Sequence, residues 1–213
     1  MKDFRLYAIT GEQFHPGRDL IEVMEEAILG GVDIIQLRDK DSSKREVLRK
    51  AIALRELTKK YGVLFIVNDH IDVALAVDAD GIHLGQDDLP LLKARKIVGS
   101  KIIGISTHAI EEARQAVIDG ADYIGVGPVF ATQSKVDVVD PVTVEYVKEI
   151  SREIDIPFVA IGGIKLHNVD QVLKAGATRI CVISEIVGSD DVQGTCEQFL
   201  ARINFAAAAK AGE

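Results

Sequence analysis

Two acidic corners follow apolar runs in the middle of this chain. Phe65-Ile66-Val67 leads into Asn68-Asp69, and Gly81-Ile82-His83-Leu84 leads into Gly85-Gln86-Asp87-Asp88-Leu89-Pro90. If the runs are successive strands of a parallel sheet, their carboxyl ends face the same way and Asp69 and Asp88 can share a cation. Two carboxylates completed by water and substrate phosphate oxygens are a common way of holding Mg²⁺. The competing reading makes each Asp an ordinary helix N-cap. Asp72, Asp78, Asp80 and Asp87 read as helix-face, turn or cap residues, and His83 as a hydrogen-bonded strand histidine rather than a catalyst. Upstream, Gln36-Leu37-Arg38-Asp39-Lys40 spaces Gln36, Arg38 and Lys40 at alternate positions, which reach one side of an extended segment. Arg and Lys on a shared face suit a diphosphate or another multi-oxygen anion, with a solvated strand exit as the alternative.

Three further stretches offer anion contacts. Ser106-Thr107-His108 ends another apolar run, where a ligand contact competes with N-capping. Thr132 and Ser134 supply hydroxyls and Lys135 a cation in a loop, which suits an oxyanion clamp or simply a solvated loop. Ala160-Ile161-Gly162-Gly163-Ile164 brings adjacent glycines whose backbone N–H groups can approach an anion, and Ile183-Ser184 ends the last run. A tight turn is the alternative for the glycine pair.

These residues all need elements that deliver them to one edge. Eight short β-rich runs satisfy this: Arg5 to Ile9, Asp33 to Leu37, Leu64 to Val67, Gly81 to Leu84, Ile102 to Ser106, Tyr123 to Val126, Phe158 to Ile161 and Arg179 to Ile183. Segments of helical period lie between them. Leu20, Val23, Met24, Ala27 and Ile28 form one stripe stopped by Gly30-Gly31, and Ser43 with Glu46 makes a capping box. Helices leave through a repeated Gly-Ala or Gly-Val step at Gly31-Val32, Gly120-Ala121 and Gly176-Ala177, the mark of an internal repeat. The alternation predicts an α/β fold, a single-domain (β/α)8 TIM barrel over residues 1–205, with 206–213 as a frayed or disordered tail. A doubly wound sheet is the runner-up, disfavoured because Ile9-Thr10-Gly11-Glu12 is not a Gly-rich nucleotide turn. In such a barrel the site lies at the carboxyl ends of the strands, and phosphate commonly sits after strands seven and eight, where Gly162-Gly163 and Ser184 fall. The long connection from Gly127 to Val139 reads as a functional lid.

Composition narrows the function classes. A chain of 213 residues with 47% hydrophobic and 27% charged residues can bury one full core. A net charge of −8 argues against a general nucleic-acid binder or an anionic-membrane protein, so cations for an anionic ligand must be gathered locally. Two cysteines make neither a disulfide framework nor a metal-ligand pattern, and a reducing cytoplasmic setting is the expectation. The first apolar run, interrupted at Thr10-Gly11-Glu12, is too short for a signal or membrane segment.

Seven blocks in order, Leu6 to Thr10, Gln36 to Lys40, Asn68-Asp69, Gly81 to Pro90, Tyr123 to Phe130, Thr132 to Lys135 and Ala160 to Ile164, resemble thiamine-phosphate synthase, in register from near residue 6 to near residue 187. That family joins 4-amino-2-methyl-5-hydroxymethylpyrimidine diphosphate to 4-methyl-5-(2-phosphoethyl)thiazole and releases diphosphate. The resemblance implies that Gln36, Leu37, Arg38, Asp39, Lys40, Asn68, Ser106 and Lys135 bind the pyrimidine diphosphate. It implies Asp69 and Asp88 as Mg²⁺ ligands, and Thr132, Gln133, Ser134, Gly163, Ile183 and Ser184 around the thiazole phosphate. Arg38, Lys40, Lys135 and Ser106 would be the catalytic set, in a dissociative substitution that needs stabilisation of the leaving group more than a general base. The implied partners are two small phosphorylated substrates, with homo-oligomerisation left open. Ser134 stands where Thr is frequent, and Thr143 follows Pro141-Val142 where many members carry Gly. A thiazole tautomerase is the nearest rival, and retention of Arg38, Lys40, Asn68, Asp69, Asp88 and Lys135 together weighs against it. A non-catalytic regulatory relative would not require that set.

Overall fold

Strands buried on both faces have little polar side to show, which is why the β-rich runs of this chain are dominated by Val, Ile, Leu and aromatic residues, with the polar ones gathered toward their carboxyl ends. In the computed structural model, which describes residues 3–132 and 140–211, these runs form β1 (Leu6–Ile9), β2 (Ile34–Leu37), β3 (Leu64–Asn68), β4 (Gly81–Leu84), β5 (Ile102–Thr107), β6 (Tyr123–Val126), β7 (Phe158–Ile161) and β8 (Ile180–Val182). They pair in parallel in chain order, and β1 pairs with β8 to close the barrel. The expected (β/α)8 architecture is what the chain adopts, with strand limits within two residues of those read from the sequence.

Helices follow the strands as α1 (Leu20–Leu29), α2 (Lys44–Tyr61), α3 (Ile71–Ala76), α4 (Leu91–Val98), α5 (Ile110–Asp119), α6 (Thr143–Glu153), α7 (Val169–Lys174), α8 (Ser184–Val187) and α9 (Val192–Ala211). Their starts follow local chemistry. Asp19 accepts hydrogen bonds from the Ile21 and Glu22 N–H groups to cap α1, and Ser43 accepts from Glu46 N–H to cap α2. Each helix lays an apolar stripe on the barrel, as Val47, Ala51, Leu54 and Leu57 of α2 do. The repeated exits after α1, α5 and α7 take positive φ at Gly31, Gly120 and Gly176, which reverses the chain into the next strand.

Inside, the barrel is filled at its base. Tyr7 and Tyr123 are buried, and Phe4 meets each of them edge-on with ring centres 6.3 Å apart. Arg179 lies over the Phe4 ring, 5.3 Å from its centre. This plug leaves the opposite end of the barrel as the open one.

The C-terminal segment differs from expectation. Residues 206–211 continue α9 instead of fraying, because Ala has the highest intrinsic helix propensity and the run is already nucleated by the buried Val192, Cys196, Phe199 and Ile203. No helix of the described residues is long and apolar enough to cross a membrane.

Candidate active site

At the carboxyl ends of the strands a cavity of about 1150 Å³ opens, lined by residues from β2 round to β8. Asp69 and Asp88 both line it. Neither caps a helix: the N-cap positions of α3 and α4 are His70 and Pro90, without side-chain capping bonds. Asp88 therefore precedes α4 instead of beginning it. Its Oδ2 accepts the Gly85 N–H at 2.7 Å and closes the turn after β4.

Asp69 holds a left-handed conformation, with φ 59°, and His70 N–H donates to Asn68 O at 2.6 Å across it. Strained backbone of this kind tends to gather at functional sites. Burial pushes the Asp69 carboxyl up from its ordinary pKa, and the Asp88 carboxyl within hydrogen-bonding reach pushes the same way; Lys40, with Nζ 3.4 Å from Asp69 Oδ2, pulls against both. Two crowded carboxylates favour an arriving cation. Among the described residues no group of three or more His, Cys, Asp or Glu converges on a metal position, so a cation here would rest on this pair and take its other ligands from water and bound phosphate. That donor set fits Mg²⁺.

The exit of β2 separates into two faces. Arg38 and Lys40 line the cavity, and Thr10 holds the Arg38 backbone from both sides, accepting from its N–H at 2.9 Å and donating to its carbonyl at 3.1 Å. Gln36 points inward, as the alternation requires, but its amide stops in the barrel interior, donating to Tyr7 Oη at 2.7 Å. Leu37 is buried, and the Asp39 carboxylate turns toward α2, where Lys50 Nζ lies 2.7 Å from Oδ2. The side chains of Leu37 and Asp39 thus stand away from the cavity that the resemblance assigned to them, because consecutive residues of an extended segment face opposite ways. Burial works against ionisation of Asp39, but hydrogen bonds from Lys50 and Ser42 overcome it and hold its pKa at about 2. Lys50 also pairs with Glu12 after β1, so one buried ammonium ties the first two loops together.

Asn68 and Ser106 line the same cavity. Ser106 does not cap α5, whose N-cap is Ala109; its Oγ lies 2.9 Å from His83 Nε2. Thr107 is buried and donates to Gly125 O, so it is part of the wall. His108 lines the cavity, its ring Nδ1 on the Gly127 carbonyl and its N–H on Glu112 Oε2 at 2.7 Å.

On the far side, Thr132, Gly163, Ile183 and Ser184 line the cavity. Gly163 has φ 63°, and a Cβ there would come within 2.6 Å of Ala131 O and 2.8 Å of Phe130 Cβ. Asn168, which motif reading passed over, pins this turn by donating to Gly163 O at 2.9 Å and accepting from Lys165 N–H at 2.7 Å. Gln133, Ser134 and Lys135, and most of the expected lid, lie outside the described residues.

His83 is the hydrogen-bonded strand histidine the sequence suggested, touching Ser106 and Tyr123, and Asp87 lies in the turn expected of it but also reaches the cavity.

Comparison with known proteins agrees with this geometry. The family described as thiamine monophosphate synthase matches residues 6–186. The thiamine-phosphate synthase of Halalkalibacterium halodurans is 76% identical over 200 residues, covering 93% of this chain and 95% of the relative. That of Shouchella clausii is 65% identical, covering 97% and 99%. Among solved structures, the thiamine phosphate pyrophosphorylase from Pyrococcus furiosus superposes with a TM-score of 0.86 at 40% identity, over 95% of this chain and 96% of that one. With the barrel, the cavity and the ordered blocks all in agreement, the chain belongs to the thiamine monophosphate synthase family, transferases of thiamine biosynthesis.

Proposed function

We propose that this chain condenses 4-amino-2-methyl-5-hydroxymethylpyrimidine diphosphate with 4-methyl-5-(2-phosphoethyl)thiazole, in an Mg²⁺-dependent dissociative substitution that yields thiamine phosphate and diphosphate. The observation that carries this reading is the division of one cavity: Arg38, Lys40, Asp69 and Asp88 stand on one side, and Thr132, Gly163, Ile183 and Ser184 on the other. At about 1150 Å³ the cavity exceeds the ordinary range for a single small ligand and has room for two.

Asp69 and Asp88 would hold the Mg²⁺, which when bound supplies positive charge to the diphosphate oxygens. Arg38 presents a fork of donors and Lys40 a compact charge, and both favour the departing diphosphate over the bound ester because its charge grows as the C–O bond breaks. Preorganised donors of this kind are each worth about 3 kcal/mol at the barrier. The C–O electron pair leaves with diphosphate, and the thiazole nitrogen supplies the pair for the new C–N bond. No proton has to be removed from the attacking nitrogen, so the site requires no general base. Phe14, Ile161, Ile164 and Val182 give the cavity an apolar wall that limits the water able to intercept a cationic pyrimidine methylene. Ser106 and, by resemblance, Lys135 would contact the pyrimidine substrate.

The test is turnover by purified protein with both substrates, with and without Mg²⁺. Thiamine phosphate and diphosphate should form only with the metal, and Asp88→Ala should lower kcat/KM on the order of 100-fold while the protein stays folded. Thiazole isomerisation alone would refute the synthase reading, and an unaltered metal response in Asp88→Ala would remove Asp88 from the site.

A further inference from the structure

A line of side chains, buried at Gln36, Tyr7 and Tyr123 and half-buried at His83 and Ser106, runs from the core of the barrel to the cavity wall. Gln36 Nε2 donates to Tyr7 Oη at 2.7 Å; Tyr7 Oη and Tyr123 Oη are 2.9 Å apart; Tyr123 Oη and His83 Nδ1 are 2.9 Å apart; His83 Nε2 and Ser106 Oγ are 2.9 Å apart. Each phenol has one proton to give, and each neutral imidazole has one N–H and one lone pair. With Gln36 donating, one direction gives every phenol and imidazole proton an acceptor within the chain. Tyr7 receives from Gln36 and gives its proton to Tyr123; Tyr123, with Tyr7 and His83 beside its oxygen, gives its own to His83 Nδ1. His83 then carries its proton on Nε2 and donates to Ser106 Oγ. The Ser106 carbonyl accepts from Gln86 Nε2 at 2.7 Å, and with His83 Nε2 as donor the hydroxyl proton is left to face the cavity that Ser106 lines. Burial raises both phenol pKa values, which keeps both phenol protons in place.

We infer that Ser106 accepts from His83 and so presents its hydroxyl proton to the ligand, and that His83 is a positioning residue that sets this polarity. The substrate atom facing Ser106 is then an acceptor, of the class of an unprotonated heteroaromatic ring nitrogen, and a ring presenting N–H there is discriminated against. The inference rests on the proposed function only for the identity of that ligand; the polarity belongs to the free protein.

The decisive measurement is the ¹⁵N spectrum of the imidazole rings of the free protein near neutral pH, with His83 identified among the five histidines by the signals lost in His83→Gln. A proton on Nε2 and a lone pair on Nδ1 are expected. A proton on Nδ1 overturns the inference: with Nε2 bare, Ser106 becomes the donor to His83, and with both nitrogens protonated the phenols no longer set the tautomer. Turnover gives the second readout. Gln carries an amide N–H to the position of Nε2 and should keep kcat/KM for the pyrimidine diphosphate within about threefold, while Asn ends near Nδ1 and should lose about tenfold, the scale of one lost hydrogen bond. Equal loss in both variants with melting temperatures unchanged would also overturn it. Failure of synthase activity in the wild type would leave the tautomer result standing and fall on the functional reading alone.

Discussion

Replacing Lys50 with Met should unsettle one substrate loop while sparing the other. The Lys50 and Asp39 side chains are 9% and 10% exposed, and their N···O distance is 2.7 Å. Without the ammonium, Asp39 keeps the Ser42 N–H at 3.0 Å and the weaker Asp41 N–H at 3.2 Å, and remains a buried carboxylate with no cation. Its pKa is lowered from 3.8 to about 2 against the opposing effect of burial. At 1.36 kcal/mol per unit that shift corresponds to about 2.5 kcal/mol of stability. Part belongs to Ser42, and water at the half-exposed Glu12 end screens the rest, which leaves about 1.5 to 2 kcal/mol for Lys50. In a protein of this size that is a fall in Tm of roughly 3–8 °C. Because the folded pKa is depressed, this stability is present above the unfolded pKa near 4 and is lost as pH falls through about 2. The Tm gap between wild type and Lys50→Met should accordingly be full at pH 6 and close toward pH 2. Asp39 lies between Arg38 and Lys40, so KM for the pyrimidine diphosphate should rise several-fold while KM for the thiazole phosphate holds. Scanning calorimetry across pH and two-substrate kinetics read both effects. A gap that persists at pH 2, or equal shifts in the two KM values, would refute this account of the loop.

Two further substitutions probe backbone strain. Thr143, at the start of α6, has φ 68°, a conformation that a β-branched residue resists and Gly adopts freely. Relief of about 1–3 kcal/mol, less about 0.5–1 kcal/mol for the extra freedom of Gly in the unfolded chain, should make Thr143→Gly more stable by about 1 kcal/mol; a lower melting temperature would count against it. Gly163→Ala places a methyl 2.6 Å from Ala131 O in a left-handed turn, so KM for the thiazole phosphate should rise tenfold or more with the pyrimidine diphosphate little affected. Parallel kinetic titrations decide, and a loss shared by both substrates would mean that the turn serves the barrel as a whole.

The eight strands were legible along the chain because burial on both faces admits only continuous apolar runs, and an acidic or amide residue directly after such a run marks a strand end. Asp69, Asp88, Arg38 and Lys40 could be placed at one edge on that ground alone, and the glycine pair at 162–163 on the ground of backbone freedom. Other features depend on partners that no local pattern reveals. Tyr7 and Tyr123 meet across 116 positions, and His83 reaches Ser106 across 23. Asp39 looked like one more charge beside Arg38 until α2 brought Lys50 against it, and nothing local to Gln36 told that its amide N–H would reach Tyr7. Periodicity tells which side of an element a residue occupies. How far its side chain reaches, and what waits there, is decided by the closure of the barrel, which packs distant strands side by side.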